Sequence, residues 1–247
     1  MPLAPGHWAL GPIAVLDFET TGLVVENGDR VVEIGCVLLD DGAVSERWGT
    51  LVDPGMPLPP DTTRITGITP EDLAGAPRFE AVVGELLRRL EGRLLSAYNA
   101  SFDRGFLLHE LDRCGKQLPD GAWIDPLVLA KELQKGQGNM KLGTVAKRLD
   151  IPLVEAHRAV ADAECAGLVL LALAEQMPTE LGEALDLHEA WEAAQNAARA
   201  SWRNRRRGAT LAAVADGGPQ DALGPGYPHG DELDPVRYMF LRGTGRV

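Results

Sequence analysis

The sequence predicts an α/β fold, and two patterns in it carry that expectation. Three strand-forming runs at 13–19, 31–39 and 43–52 follow one another with short polar connections, the signature of an antiparallel meander. Beyond residue 78 the pattern changes. Apolar residues recur at helical spacing, and short apolar stretches at 94–98 and 123–125 separate the helical segments.

Length and composition bound the rest. With 247 residues, 45% of them hydrophobic, the chain suits one globular domain with room for an appendage. A net charge of −12 argues against a protein that grips nucleic acid by bulk electrostatics, yet leaves room for an enzyme whose own acids add to the count. Cys36, Cys114 and Cys165 are far apart and form no C-x-x-C pair, so neither a zinc site nor a disulfide framework is expected. A reduced, cytoplasmic setting follows. The N-terminus has no basic segment leading into an apolar core, and no apolar run approaches the ~18 residues of a spanning helix, so neither export nor membrane anchoring is expected.

Taken in order, residues 1–11 are rich in Pro and Gly and are expected to run over the surface. The first strand covers Ile13 to Glu19 and the second Val31 to Leu39. Asp41-Gly42 signals a tight turn into a third strand from Ala43 to Val52. Residues 54–77, which include Arg64-Ile65-Thr66-Gly67-Ile68-Thr69-Pro70, read as a long loop that is either functional or a structural Ω-loop. Phe79, Val82, Val83, Leu86, Leu87 and Leu90 define a helix, and Leu94 to Tyr98 a buried strand.

Next, Ser101 is expected to cap a helix and to place Asp103 in its first turn. There the helix dipole favours a carboxylate by ~0.3–1 kcal/mol, so stability alone could account for Asp103. Phe106, Leu107, Leu111 and Cys114 supply the inward face, and Gly115 closes the helix. A last strand at 123–125 leads to a helix opened by Pro126. A flexible loop at 136–139, a short helix at 141–149 and an alanine-rich helix to about residue 176 follow.

Residues 179–206 read as an amphipathic helix with Leu185, Trp191 and Trp202, ending in Arg203, Arg205, Arg206 and Arg207. That basic cluster either holds phosphates or complements the C-terminus of its own helix. Residues 208–235 are dominated by Gly, Ala, Asp and Pro, and Val236 to Leu241 form an apolar patch suited to docking. The expected organisation is a domain over 1–178, a helical extension over 179–207 and a linker-like, disordered tail over 208–247.

The chemistry concentrates in the first strand. Residues i and i+2 of a strand share a face, so Asp17 and Glu19 present two carboxylates side by side. Bare, they repel; a hard divalent cation such as magnesium or manganese relieves that. The alternative is a strand end shedding acids into solvent. Asp103 and Asp162 each fall near a helix start, and His157 precedes the second. On one helix His157 and Asp162 would be ~140° out of phase; they converge only if the helix begins after His157. Four carboxylates and one histidine suit phosphodiester hydrolysis with two metal ions ~3.5–4 Å apart and a base of near-neutral pKa.

Three segments, Asp17-Phe18-Glu19-Thr20-Thr21-Gly22, Asn99-Ala100-Ser101-Phe102-Asp103 and His157-Arg158-Ala159-Val160-Ala161-Asp162, together resemble the motifs of the DEDDh 3′–5′ exonucleases, the group that includes the proofreading epsilon subunit of bacterial DNA polymerase III. Ile65-Thr66-Gly67-Ile68-Thr69 and Lys141-Leu142 are similar too, and the likeness runs from about residue 12 to 175. Thr66 departs from the epsilon subunit, which carries histidine there.

The resemblance implies a ribonuclease H-like fold, a mixed sheet flanked by helices. It implies that Asp17, Glu19, Asp103 and Asp162 ligate two Mg2+ (or Mn2+) ions and that His157 is the general base. Thr20, Thr21 and Leu23 would line the terminal-nucleotide pocket, and Asn99 and Phe102 would position the strand, although Phe102 also fits a core aromatic. The implied reaction releases nucleoside 5′-monophosphates, from DNA 3′ ends in proofreading or repair, beside a DNA polymerase or repair complex. The alternatives are RNA 3′ ends and an inactive interaction module of a polymerase complex.

Overall fold

The computed structural model describes residues 3–152 and 158–215, with the side chains of Arg203 and residues 206–215 outside that description. Five strands form one sheet: β1 (Ile13–Thr20), β2 (Val31–Asp40), β3 (Ala43–Leu51), β4 (Leu94–Ala97) and β5 (Trp123–Ile124). Their order is β3-β2-β1-β4-β5. The meander β1–β2–β3 is antiparallel, while β4 runs parallel to both β1 and β5. Helices α1 (Pro60–Thr66), α2 (Phe79–Leu90), α3 (Ala100–Arg113), α4 (Pro126–Leu133), α5 (Leu142–Arg148), α6 (Ala159–Ala174) and α7 (Leu181–Ala215) complete the described chain. The parallel pairs need helical crossovers, and these supply the flanking layers. This is the mixed sheet expected of a ribonuclease H-like fold.

Strand alternation divides the core. Ala14, Leu16 and Phe18 of β1 pack with Phe79, Val83 and Leu86 of α2 and Phe106 and Leu107 of α3. Ile13 and Val15 face the opposite way, towards Leu127 of α4, Val145 of α5, and Ala163, Ala166 and Leu170 of α6. Every position of β1 is buried, as expected for a central strand covered on both faces. Asp17 and Glu19 continue the series facing α6.

Small residues bring α6 close to the sheet. A Cβ on Gly35 would lie 2.2 Å from the carbonyl carbon and oxygen of Ala159, and one on Gly49 would lie 2.3 Å from Val160 Cγ2. The first turn of α6 therefore rests directly on the backbone of β2 and β3.

Four expectations are corrected. The stretch 54–77 is not all loop: α1 occupies Pro60–Thr66, with Pro at its start and Gly67 at φ +73 closing it. Seven residues are too few to show a period in so proline-rich a setting. Helix α3 starts at Ala100 with Asn99, not Ser101, as its N-cap. The N-terminal segment is partly internal: Trp8 and Ala9 are buried in a short 3-10 turn, and the Trp8 N–H donates to Thr179 O at 3.0 Å. Finally, α7 runs to Ala215, so residues 208–215 are helical rather than linker and the arginine cluster is not at a helix C-terminus. Arg205 donates to Ser201 Oγ at 2.6 Å. Residues 216–247, with the Val236–Leu241 patch, lie outside the described residues. Among the described residues no helix is long and apolar enough to cross a membrane.

Candidate active site

In the β1–β2 ladder, Asp17 is opposite Gly35 and Glu19 opposite Glu33. Because Gly35 has no side chain, α6 descends onto this ladder and delivers Asp162 to the same face. Asp17, Glu19 and Asp162 are all buried, and each offers an oxygen within 4.8 Å of the others. The fourth acid arrives from the other layer. Asp103, 3% exposed, accepts on Oδ1, at 2.9 Å, the N–H of Phe18, the residue between Asp17 and Glu19. One strand end thus gathers acids from β1, α3 and α6.

Two further carboxylates hold the helices that carry these acids, and neither was anticipated. Glu33 Oε2 accepts the Ala159 N–H at 3.3 Å, and Oε1 pairs with Arg158 Nη2 at 3.0 Å. Glu33 therefore caps α6 from across the sheet and fixes the chain just after His157. Asp125 does the same for α3. Its Oδ1 accepts the Asn99 N–H at 3.0 Å and the Leu127 N–H at 2.8 Å, and its Oδ2 accepts the Ala100 N–H at 2.9 Å. Burial pushes the Asp125 carboxyl up to about 6, against the lowering effect of those N–H donors. The signals were present: a lone acid inside the apolar run Val31-Val32-Glu33-Ile34, and an Asp before Pro126 where helix caps occur. Neither pattern says which distant helix it serves.

The expected nucleotide-pocket residues form a braced turn. Thr20 Oγ1 donates to Gly22 O. Thr21 Oγ1 accepts the Arg30 N–H at 2.9 Å, and Thr62 Oγ1 of α1 donates to Thr21 O at 2.9 Å. The Asp29 carboxylate fills the space where a Gly22 Cβ would lie, at 2.3 Å, and accepts the Val24 N–H at 2.9 Å. Leu23 is half-buried. Asn99 is buried, with a left-handed φ of +72. Phe102 is half-buried against the core, its ring centroid 4.9 Å from that of Phe106. His157 lies outside the described residues; the chain resumes at Arg158, and α6 begins one residue later, at Ala159.

The donor set decides what the site can hold. Among the described residues the clustered groups are all buried carboxylates, which suit a hard divalent cation, and three carboxylates this close need counter-charge. The cysteines do not compete for that role. Burial pushes the thiols of Cys36 and Cys165 up to about 12, so they stay protonated, and all three cysteines are free.

The mixed sheet with its flanking helices is of the ribonuclease H-like class, and a carboxylate cluster stands at the end of its central strand. The chain belongs to the Exonuclease family, whose model matches residues 14–170, and its likeness is to DEDDh 3′–5′ exonucleases. It is 38% identical over 149 residues to the DNA polymerase III subunit epsilon of Treponema pallidum (strain Nichols), covering 60% of this chain and 69% of that one. It is 33% identical over 163 residues to the 3′-5′ exonuclease DinG of Bacillus subtilis (strain 168), which takes in 66% of this chain but 18% of the relative. PolC-type DNA polymerase III of Clostridium perfringens is likewise matched over 12% of its length, so the chain spans a small part of these larger relatives.

Among solved structures, exonuclease X in complex with 5′-overhanging duplex DNA superposes with a TM-score of 0.56 at 25% identity, over 71% of this chain and 99% of that one. The rAMP-bound nuclease domain of 3′hExo, a DEDDh family member, gives 0.59 at 17% identity over 68% and 93%. The second likeness concerns the fold alone.

Proposed function

We propose that this chain is a divalent-metal-dependent 3′–5′ exonuclease that removes nucleoside 5′-monophosphates from DNA 3′ ends, in a cytoplasmic proofreading or repair role. The observation that carries the reading is the buried trio Asp17, Glu19 and Asp162 within 4.8 Å, completed by Asp103 at the Phe18 N–H. These four would hold two Mg2+ or Mn2+ ions, which when bound offset charge on the scissile phosphate and stabilise the attacking and leaving oxygens.

The protein's own groups do the rest. His157 takes a proton from the attacking water as that oxygen bonds to phosphorus and the 3′ oxygen of the preceding nucleotide departs. The braced turn at Thr20, Thr21 and Leu23 receives the terminal nucleotide, while Asn99 and Phe102 orient the strand. The choice of DNA rests on the relatives: the epsilon subunit at 38% identity and exonuclease X with its DNA. By the same relatives, a DNA polymerase or repair complex is the proposed partner.

The test is digestion of matched 3′-labelled and 5′-labelled DNA and RNA oligonucleotides, single and double stranded, with Mg2+ or with EDTA. Early release of the 3′ label from DNA as a mononucleotide, abolished by EDTA, is the expected result. Hydrolysis of RNA alone would replace DNA by RNA as substrate. Absence of hydrolysis on every substrate would leave an inactive interaction module.

A further inference from the structure

We infer that His188 is a positioning residue of this nuclease site, so that α7, which lies beyond the family match, is part of the apparatus that sets Asp103. The inference rests on the function proposed above and names a component of the same site. His188 is 4% exposed, and its Nε2 accepts the Asp125 N–H at 3.0 Å. Accepting on Nε2 fixes the neutral tautomer with its proton on Nδ1. Burial also lowers the His188 pKa, which keeps the ring neutral and the acceptor in place.

From Asp125 the connection continues by direct bonds. Its carboxylate holds the N–H groups of Asn99 and Ala100, the cap and first residue of α3. Asn99 sits at φ +72, in the left-handed region that Asn adopts more readily than most residues with a side chain. Asp103 lies in the first turn after this cap and bonds the Phe18 N–H at 2.9 Å. The series α7, Asp125, Asn99, Asp103 therefore ends on the strand between Asp17 and Glu19.

The helix is docked firmly enough to act as an anchor. Leu185, Leu187 and Trp191 pack on the core that includes α4, α5 and α6. Gln195 Nε2 donates to Val128 O and to Glu132 Oε1, both at 3.1 Å. Without His188 the buried Asp125 N–H would lose its acceptor, and the segment would move to find another. A displacement of about 1 Å in a residue on α3 is enough to slow chemistry that depends on alignment.

The experiment compares H188L and H188F, which remove the acceptor, with H188Q, which restores one, all in the full chain. Steady-state kinetics on a 3′-labelled oligonucleotide are taken well below each variant's melting temperature, with amide exchange followed for peptides over 97–106 and 13–20. The expected result is a kcat loss of about tenfold or more in H188L and H188F, with KM within about twofold and recovery of most activity in H188Q. Exchange should quicken at 97–106 before the rest of the molecule. Wild-type kcat in a folded acceptor-less variant, H188Q no better than H188L, or uniformly faster exchange would overturn the proposal. So would failure of both acceptor-less variants to fold while H188Q folds, since the bond would then serve stability alone. A wild-type chain without nuclease activity would reject the proposed function instead, with the exchange readout still testing the link from His188 to α3.

Discussion

Glu33 Oε2 accepts the N–H of Ala159 at 3.3 Å, so a strand carboxylate caps the helix that carries Asp162. The same carboxylate pairs with Arg158, whose O accepts the Asp162 N–H at 3.0 Å. A hydrogen bond to a charged group is worth ~1.5–3 kcal/mol, whereas the pair with the half-exposed Arg158 adds ~0–1 kcal/mol. The backbone bond is therefore the larger contribution. Glu33→Ala is expected to lower kcat by about tenfold or more and to raise the Mg2+ concentration needed for half-maximal rate. Glu33→Gln, which keeps an acceptor for Ala159, should lose much less. Equal kcat values for the two variants in a Mg2+ titration would reject the capping role.

Gly35→Ala tests the seat of α6. Its Cβ would lie 2.2 Å from Ala159 backbone atoms, so the helix itself must move, at a cost of ~1–3 kcal/mol. Gly49→Ala would meet Val160 Cγ2 at 2.3 Å and the Ile34 carbonyl oxygen at 3.0 Å, so its closest contact is a side chain rather than the helix backbone. Urea midpoints and kcat should fall further for Gly35→Ala than for Gly49→Ala. A Gly35→Ala enzyme with native kcat would show that Asp162 does not depend on this contact.

The acid cluster links metal to stability. Three buried carboxylates within 4.8 Å repel one another until cations are bound, so Mg2+ should raise the unfolding free energy, by ~2.7 kcal/mol at a hundredfold excess over Kd. Asp17→Asn should make the metal-free chain more stable, abolish that response and reduce kcat on the order of 10⁴-fold. Denaturant unfolding with and without Mg2+ measures the first two effects. An Mg2+ response retained in Asp17→Asn would place cation binding elsewhere.

Asp125 predicts a pH dependence of stability. Its carboxyl rises from the ordinary 3.8 to about 6 through burial, so the folded chain holds this proton more tightly than the unfolded one. Its favourable contribution is therefore full below the unfolded value and is lost as pH rises through about 6. Asp125→Asn does not titrate, and the acid cluster cancels in the comparison. The unfolding free energy of the wild type minus that of Asp125→Asn should fall between about pH 4 and pH 6 and then level off. Urea titrations across that range would contradict this if the difference stayed flat.

Much of this was legible in one dimension because the periods are short. Asp17 and Glu19 share a face by strand alternation, and the run around them is buried from Ile13 to Thr20, as its apolar composition indicated. Angular phase lets His157 and Asp162 converge only if the helix starts after His157, and α6 does begin at Ala159. Ser101 misled because a Ser at a strand-to-helix junction is a good local cap. The cap is Asn99 because Asp125, distant in sequence, satisfies the N–H groups of Asn99 and Ala100.

The sequence by itself determined the strands, most of the helices and the types of the acids, since alternation, helical period and turn chemistry are local properties of the chain. Only the tertiary structure decided that Glu33 and Asp125 brace the helices bearing Asp162 and Asp103, that Gly35 admits α6, and that His188 reaches Asp125 from α7. Those relationships join residues between 25 and 126 positions apart or less than one side-chain width from a foreign backbone. Such proximity is created by packing and leaves no periodic trace in the residues that make it.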